Sequence, residues 1–451
     1  MVVHPRVRST AQVPGISEAL PGTPIARKYP VVIRRSPAPA CLQVLAVLLG
    51  TVLAAPAGAA SKATVAYLGQ TVPGGGQFAG PSFVDQPSAA GNGWTAFRAL
   101  VVGSSSEQII VSNFVTHQRS VVASVGGTIS KDIGTVKQFL GRPTVNAHGD
   151  VVFAAVISPP TGTKVDPTAP TPGGIFLYSQ GALTAVAAPG LDTGFGILDL
   201  TTQINFNDSF SGTDISERTP ALNDNGDVAF VSATQTSTGG AGGAVFVRHA
   251  GQTLITPVIK LNDAYGTGTF QILGPPALNN SGTLAFHGVV GGGATIDGIF
   301  QLQGGALSLL YRDGTTPAQF PAAFTADPIQ QFDDVVVLND AGDVAFTGGP
   351  LSDNSPTLSL STAESSGIVV IHGGVPTLVG FPGEPIGGVA AAIAKISSLD
   401  LGPNQGSIVA PPALLPDGKV IFLAQINGGS AQMILRADPV AQTLTPLCPR
   451  A

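Results

Sequence analysis

The stretch Pro220-Ala221-Leu222-Asn223-Asp224-Asn225-Gly226-Asp227-Val228-Ala229-Phe230 returns in register as Pro276 to Phe286, which keeps Leu278, Asn279, Gly282, Leu284, Ala285 and Phe286. A further close copy is Leu338-Asn339-Asp340-Ala341-Gly342-Asp343-Val344-Ala345-Phe346. Two looser copies run from Pro143 to Phe153, keeping Asn146, Gly149, Asp150 and Val151, and from Pro412 to Phe422, keeping Leu414, Asp417, Gly418 and Val420. A sixth is degenerate: Pro87, Gly93, Ala96 and Phe97 fall at matching offsets and Ala90 replaces the asparagine. A unit this short cannot bury its own apolar faces, so repetition at such a period implies units stacked on one another.

The repeated glycines at 93, 149, 226, 282, 342 and 418 are 56, 77, 56, 60 and 76 residues apart. The Pro- and Thr-rich stretch 158–173, the polar stretch 203–218 and a similar insert over 352–366 account for the long gaps and read as loops. Within a unit, Asn, Asp and Gly supply a side-chain-capped turn with a positive-φ residue, and Val-Ala-Phe enters a strand. A second apolar strand follows, as at 174–178, 244–247, 298–302 and 367–371, then a Gly-bearing turn and a third strand at 183–187, 254–258, 307–311 and 378–381. A weaker fourth precedes each Pro-x-Leu-Asn. Four short strands per unit are the content of a propeller blade, so the fold expected is all-β: a β-propeller of about six four-stranded blades, with a seventh left open. Small Ala beside bulky Val and Phe suits sheets packed face to face around an axis. The apolar segment Ala63–Leu68 resembles a third strand without its unit and is expected to close the ring beside the last unit, Pro412–Leu447.

Composition agrees. The 451 residues include 58 Gly and 37 Pro and only 11% charged residues, which describes short apolar strands broken by turns rather than long helices. The formal net charge is −6, and residues 1–60 hold six of the basic residues against one acidic one, so the remainder is more acidic still. That leaves no basic footprint for nucleic acid. Cys41 and Cys448 are the two cysteines; they suggest no disulfide framework.

Arg34 and Arg35 precede the apolar run Leu42 to Ala55, and Ala57-Gly58-Ala59 supplies small residues. This is the pattern of a signal peptide cleaved near residue 59 or 60, and the run is short for a stable membrane span. The expected organisation is an extension plus signal peptide over 1–60 and one repeat domain over 61–451, secreted, periplasmic or at the cell surface. The Pro-rich residues 1–30 lie upstream of a complete signal and are set aside from the fold. Cys41 precedes the apolar run, where a lipidated cysteine would follow it.

Taken together the copies resemble the bacterial exported tandem-repeat proteins with the NxxGxxAF signature, the choice-of-anchor repeat proteins, over roughly residues 62–447. The resemblance implies export and a propeller-like architecture, and it implies no activity. Some relatives carry a carboxy-terminal anchoring tail; the end Thr445-Pro446-Leu447-Cys448-Pro449-Arg450-Ala451 has no apolar tail, so no stable anchor is expected.

The structural turn motif comprises Asn146, Gly149, Asn223, Gly226, Asn279, Gly282, Asn339, Gly342 and Gly418. Asn223 to Asp227 superficially suggests a calcium loop, but the ligand spacing is wrong for an EF-hand, and the turn reading is preferred there and at Asp340 and Asp343. A second recurrence is an acidic residue beside Gly or Pro after each third strand: Asp192, Asp263, Asp313 and Glu384, with Gln70 at the first position. On a closed ring these lie on one rim, where they would bind a polar ligand or a cation, calcium being the cofactor to consider; ordinary polar turns are the competing reading. His117, His148, His249, His287 and His372 show no zinc spacing. There is no Gly-x-Ser-x-Gly elbow, no Cys/His pair in a recognisable context and no phosphate loop, so no catalytic residue is assigned. The expectation is an exported binding or structural module for an unknown extracellular ligand or protein. A propeller hydrolase or lyase acting on polysaccharide and a calcium-dependent adhesive module are the alternatives.

Overall fold

Each copy of the repeat folds as its own antiparallel sheet, and six such sheets form a six-bladed β-propeller. The computed structural model describes residues 65–66, 70–83, 87–102, 106–160, 173–200, 218–235, 241–293, 295–318, 329–350, 366–381, 383–396, 398–400, 407–409, 411–426 and 431–447. All belong to one compact unit, Ala40–Ala451. The extension and signal peptide expected over 1–60, Cys41, Cys448 and most of the three long inserts lie outside the described residues.

Blade 3 shows the plan. Its inner strand comes in two pieces, Ile197–Asp199 and Ala221–Leu222, both paired with the second strand Val228–Gln235; the third strand Ala241–Arg248 and the outer strand Thr256–Lys260 follow. The second strands of the other blades are Trp94–Val102, Val151–Ser158, Leu284–Gly291, Val344–Pro350 and Val420–Ile426. In every blade the inner strand breaks or bulges at the same level. Leu140 and Thr144 face Ala154 and Val152 in blade 2, and Phe332 and Val336 face Gly348 and Phe346 in blade 5. The repeated proline sits at this level as Pro87, Pro143, Pro220, Pro276 and Pro412. The inner strand is an open sheet edge, the place where a residue without an N–H costs no ladder bond and discourages further pairing.

Strand alternation then explains Val-Ala-Phe. Val228 and Phe230 face blade 2, joining a core with Val152, Ala154, Val156 and Ile175, while Ala229 faces blade 4 beside Phe270 and Phe286. The same parity holds at the junctions of blades 1 and 2, 4 and 5, and 5 and 6. Ala occupies the position facing the next blade in four blades, leaving room for the next blade's phenylalanine. Phe97, Phe153, Phe230, Phe286, Phe346 and Phe422 are each at most 2% exposed, which stabilises by about 2–3 kcal/mol per ring.

The sixth junction differs. Ile421, Leu423 and Ile434 of blade 6 form a cluster with Leu415, while Phe78, Phe97, Ala99, Val101 and Ile110 of blade 1 form another with Val65, Ala66 and Val72. Among the described residues these two clusters do not merge. Residues 63, 64, 67 and 68 of Ala63–Leu68, the segment expected to close the ring, lie outside the described residues. Of that segment residues 65 and 66 are described, and both bury against blade 1, with Arg119 donating to the Val65 carbonyl. Blade 6 takes its outer strand, Thr443–Pro446, from its own carboxy-terminal sequence.

Candidate functional site

The turn asparagine of blades 2 to 5 does two jobs. In blade 3, Asn223 Oδ1 accepts from the Asp227 N–H at 2.9 Å, and Gly226, at φ +85°, donates to the Asn223 carbonyl at 3.1 Å. This is the capped, positive-φ turn expected from the sequence, and Gly149, Gly282, Gly342 and Gly418 adopt φ of +83°, +77°, +88° and +78°. The second job crosses the blade boundary. Asn146 Nδ2 donates to the Asn223 carbonyl at 3.2 Å, Asn223 to Asn279 at 3.0 Å, Asn279 to Asn339 at 3.1 Å and Asn339 to the Leu415 carbonyl at 3.0 Å. These asparagines are 2–7% exposed, so the amides form a buried belt from blade 2 to blade 6.

The next position forms a second arc. The N–H groups of Ala147, Asp224 and Asn280 donate to the side chains of Asp224, Asn280 and Asp340, at 2.7, 2.7 and 2.8 Å. Asn280 Nδ2 also donates to Asp224 Oδ2 at 3.0 Å and Asp340 Oδ2 at 2.8 Å. An amide nitrogen therefore stands between the two carboxylates, giving them the partner a cation would otherwise supply.

The motif aspartates tie this turn to the one after the third strand. Asp227 accepts from Asn223 Nδ2 and from the Ala250 N–H, and lies 3.3 Å from His249 Nδ1. Burial pushes its carboxyl up, but those three hydrogen bonds outweigh it and hold the group below the ordinary range. His372 Nδ1 lies 3.0 Å from Asp343 Oδ1 in the equivalent place in blade 5.

At the belt end of the axis the inner strands enclose a cavity of about 260 Å³. Every blade contributes, among them Ser88, Arg142, Thr144, Thr219, Ala277, Val337, Ile421 and Leu423. Arg142 is the one charged residue among the described lining residues, and Thr144 Oγ1 and the Arg142 N–H are used in hydrogen bonds to Pro220 and Thr219 of blade 3. No carboxylate is among the described lining residues, which therefore hold no acid and base pair.

The four acidic residues singled out from the sequence lie elsewhere. Antiparallel alternation puts the connection after each outer strand at the end opposite the asparagine turns, so Asp192, Asp263, Asp313 and Glu384 share the far rim. Each serves its own turn or blade: Asp192 Oδ1 accepts from Gly194, Asp263 Oδ2 from Lys260 and Asp313 Oδ1 from Asp297. Among the described residues no three His, Cys, Asp or Glu side chains gather as metal ligands. Glu384 stands apart. Burial pushes its carboxyl up to about 7, partly offset by a hydrogen bond from the Phe381 backbone, and its Oε2 finds no partner among the described residues.

Sequence reasoning missed Arg142 and the belt itself. Arg142 lies just before the repeated proline and recurs in no other copy, so periodicity carries no trace of it. The belt's signal was present in the repeated Asn, but its inter-blade half needs the neighbouring turn in space.

The family of unknown function DUF7453 matches residues 201–436, more than half of the sequence. The chain belongs to the DUF7453 family. The match spans the motifs of blades 3 to 6, so the most regular turns of this DUF7453 protein fall within it. A search of curated proteins returns no match. Among solved structures this DUF7453 protein is similar to the β-propeller domain of the Trilobed protease from Pyrococcus furiosus, at 9% identity and a TM-score of 0.42, covering 82% of this chain and 86% of that one. It is also similar to an oligogalacturonate lyase from Vibrio parahaemolyticus, at 12% identity and TM-score 0.41 over 76% and 74% of the two chains. A PL25 ulvan lyase matches at 9% identity and TM-score 0.41 over 85% and 84%. At these identities and scores no activity passes from them to this protein.

Proposed function

We propose that this DUF7453 protein is an exported binding module that takes a small anionic group, such as a carboxylate at the end of a chain, in its axial cavity. The observation that carries the reading is Arg142, the one charged residue among the described lining residues of a cavity to which all six blades contribute. A hydrolase or lyase would need carboxylates placed to act as acid and base, and the described lining supplies none. Export follows from the segment over 1–60 and from the resemblance to exported repeat proteins. Calcium adhesion is the weaker alternative, since Asn280 already satisfies the closest pair of turn carboxylates.

Thermal unfolding of the full chain with millimolar D-glucuronate, D-glucose or calcium tests this. A ligand selective for the folded state raises Tm. Glucuronate is expected to raise it and glucose is not, and Arg142→Met is expected to abolish the rise. Equal response to both sugars, or none to glucuronate, overturns the anionic reading.

A further inference from the structure

The structure assigns Arg98 of blade 1 as the positioning residue that holds, from the neighbouring blade, the piece of chain on which Arg142 meets the axial cavity. Its consequence for a ligand rests on that cavity being the binding site.

Arg142 sits where its blade leaves the ladder. In blade 2 Leu140 pairs with Ala154 and Thr144 with Val152, so Gly141, Arg142 and Pro143 together stand opposite the single residue Phe153. Gly141 has φ +60°, in the left-handed region that suits glycine. Backbone groups that leave a ladder inside a protein need other partners, and the two neighbouring blades supply them. Arg98 Nη1 donates to the Gly141 carbonyl at 2.8 Å from one side, while the Arg142 N–H donates to Thr219 Oγ1 of blade 3 at 3.2 Å on the other. Thr144 Oγ1 then donates to the Pro220 carbonyl at 2.6 Å. Pro143 has no N–H to satisfy.

The Arg98 side chain is 4% exposed, and its Nε donates to Glu107 Oε1 on the next strand of its own blade. A planar guanidinium fork can serve a carboxylate and a carbonyl at once in fixed geometry, which a lysine ammonium cannot. Glu107 balances the Arg98 charge, so the clamp adds no second net positive charge beside Arg142. The arrangement is not a general device of the repeat. The residues equivalent to Arg98 in the other blades are Ala154, Val231, His287, Thr347 and Leu423, and those equivalent to Arg142 in blades 3 to 6 are Thr219, Pro275, Val335 and Pro411. The arginine that clamps and the arginine that is clamped therefore occur once each, in adjacent blades.

Arg98→Met combined with Glu107→Leu removes the clamp and leaves no charge stranded, an exchange that buried ion pairs tolerate. Amide hydrogen exchange of the full chain is expected to run about tenfold faster over 141–145 in this variant, and at an unchanged rate over 335–338 of blade 5. Calorimetric titration with D-glucuronate is expected to give a Kd about tenfold weaker. Asn279→Ala, which weakens a different junction, should move neither readout and so separates positioning from lost stability. Arg98→Lys keeps a charge beside Glu107 but lacks the fork, and should shift both readouts in the same direction if the double variant folds poorly. Unchanged exchange over 141–145 overturns the clamp. Faster exchange with undiminished glucuronate affinity overturns its role in binding. An unsubstituted protein that binds no glucuronate overturns the anionic reading of the cavity, and the exchange result still decides whether Arg98 holds this stretch of chain.

Discussion

The junction between blades 4 and 5 and the junction between blades 6 and 1 join the same kind of sheet in two different ways. At the first, Ala285, Ile299 and Tyr311 pack with Val344, Phe346 and Val369 in one core, and Asn279 spans the turns from its own Thr283 N–H to the Asn339 carbonyl. At the second, blade 6 keeps the turn but not its chemistry: Leu415 replaces Asn, and an exposed ion pair, Lys419 to Asp417 at 2.5 Å, takes the place of the buried amide network. The turn's shape survives, because the Leu415 N–H still bonds to the Lys419 carbonyl and the Gly418 N–H to the Leu415 carbonyl. Turn geometry and blade latching are thus separable properties of one motif.

The largest way to break the contrast is Asn279→Ala. It removes the acceptor for the Ser281 and Thr283 N–H groups and the donor to Asn339, and buried groups left unpaired make this cost about 2–4 kcal/mol. Urea unfolding should show the midpoint falling, and a loss under 1 kcal/mol would mean that the belt contributes little. Next comes Gly149→Ala against Gly282→Ala. Both positions have positive φ, but a Cβ at Gly149 meets the Trp94 ring at 2.7–2.8 Å, whereas at Gly282 nothing lies within 4 Å. Gly282→Ala should cost about 1–2 kcal/mol from backbone strain alone, Gly149→Ala more, and only the latter should shift the emission of Trp94, the sole tryptophan.

A third variant probes the far end of the junction between blades 5 and 6. Glu384 is raised in the folded state from 4.5 to about 7, so its protonated form favours folding. That contribution is full below the unfolded value and is lost as pH rises through about 7. Glu384→Gln should raise Tm above pH 7, leave it unchanged below pH ~4.5 and flatten the profile between, by the same linkage. A parallel shift at all pH values would sink this. The smallest effect is expected at blade 6. Lys419→Ala removes a solvent-exposed pair and should change stability by no more than about 0.5–1 kcal/mol, and less in high salt. A loss as large as that of Asn279→Ala would show the two turns to be equally structural.

The contrast also shows where sequence reading reached. Recurring Asn and Gly announced six turns, and Val-Ala-Phe announced the strands that follow them, because turn chemistry and strand alternation are local. The rim assignment was half legible. Topology sends Asp192, Asp263, Asp313 and Glu384 to one end, as the spacing suggested, but their side chains face separate turns. The repeated proline was visible as a landmark, while its reason, an open inner edge on the axis, required the ring.

The sequence by itself determined an all-β repeat chain, the positions of its turns and the division into six units, since these follow from φ preferences and a period of two. Only the tertiary structure decided which asparagine nitrogen reaches which carbonyl and that Arg142 joins the lining of the axial cavity. Those are relations between residues 55–77 positions apart or across a closing ring. A hydrogen bond or an apolar contact is made through space, and periodicity carries no record of where the circle is joined.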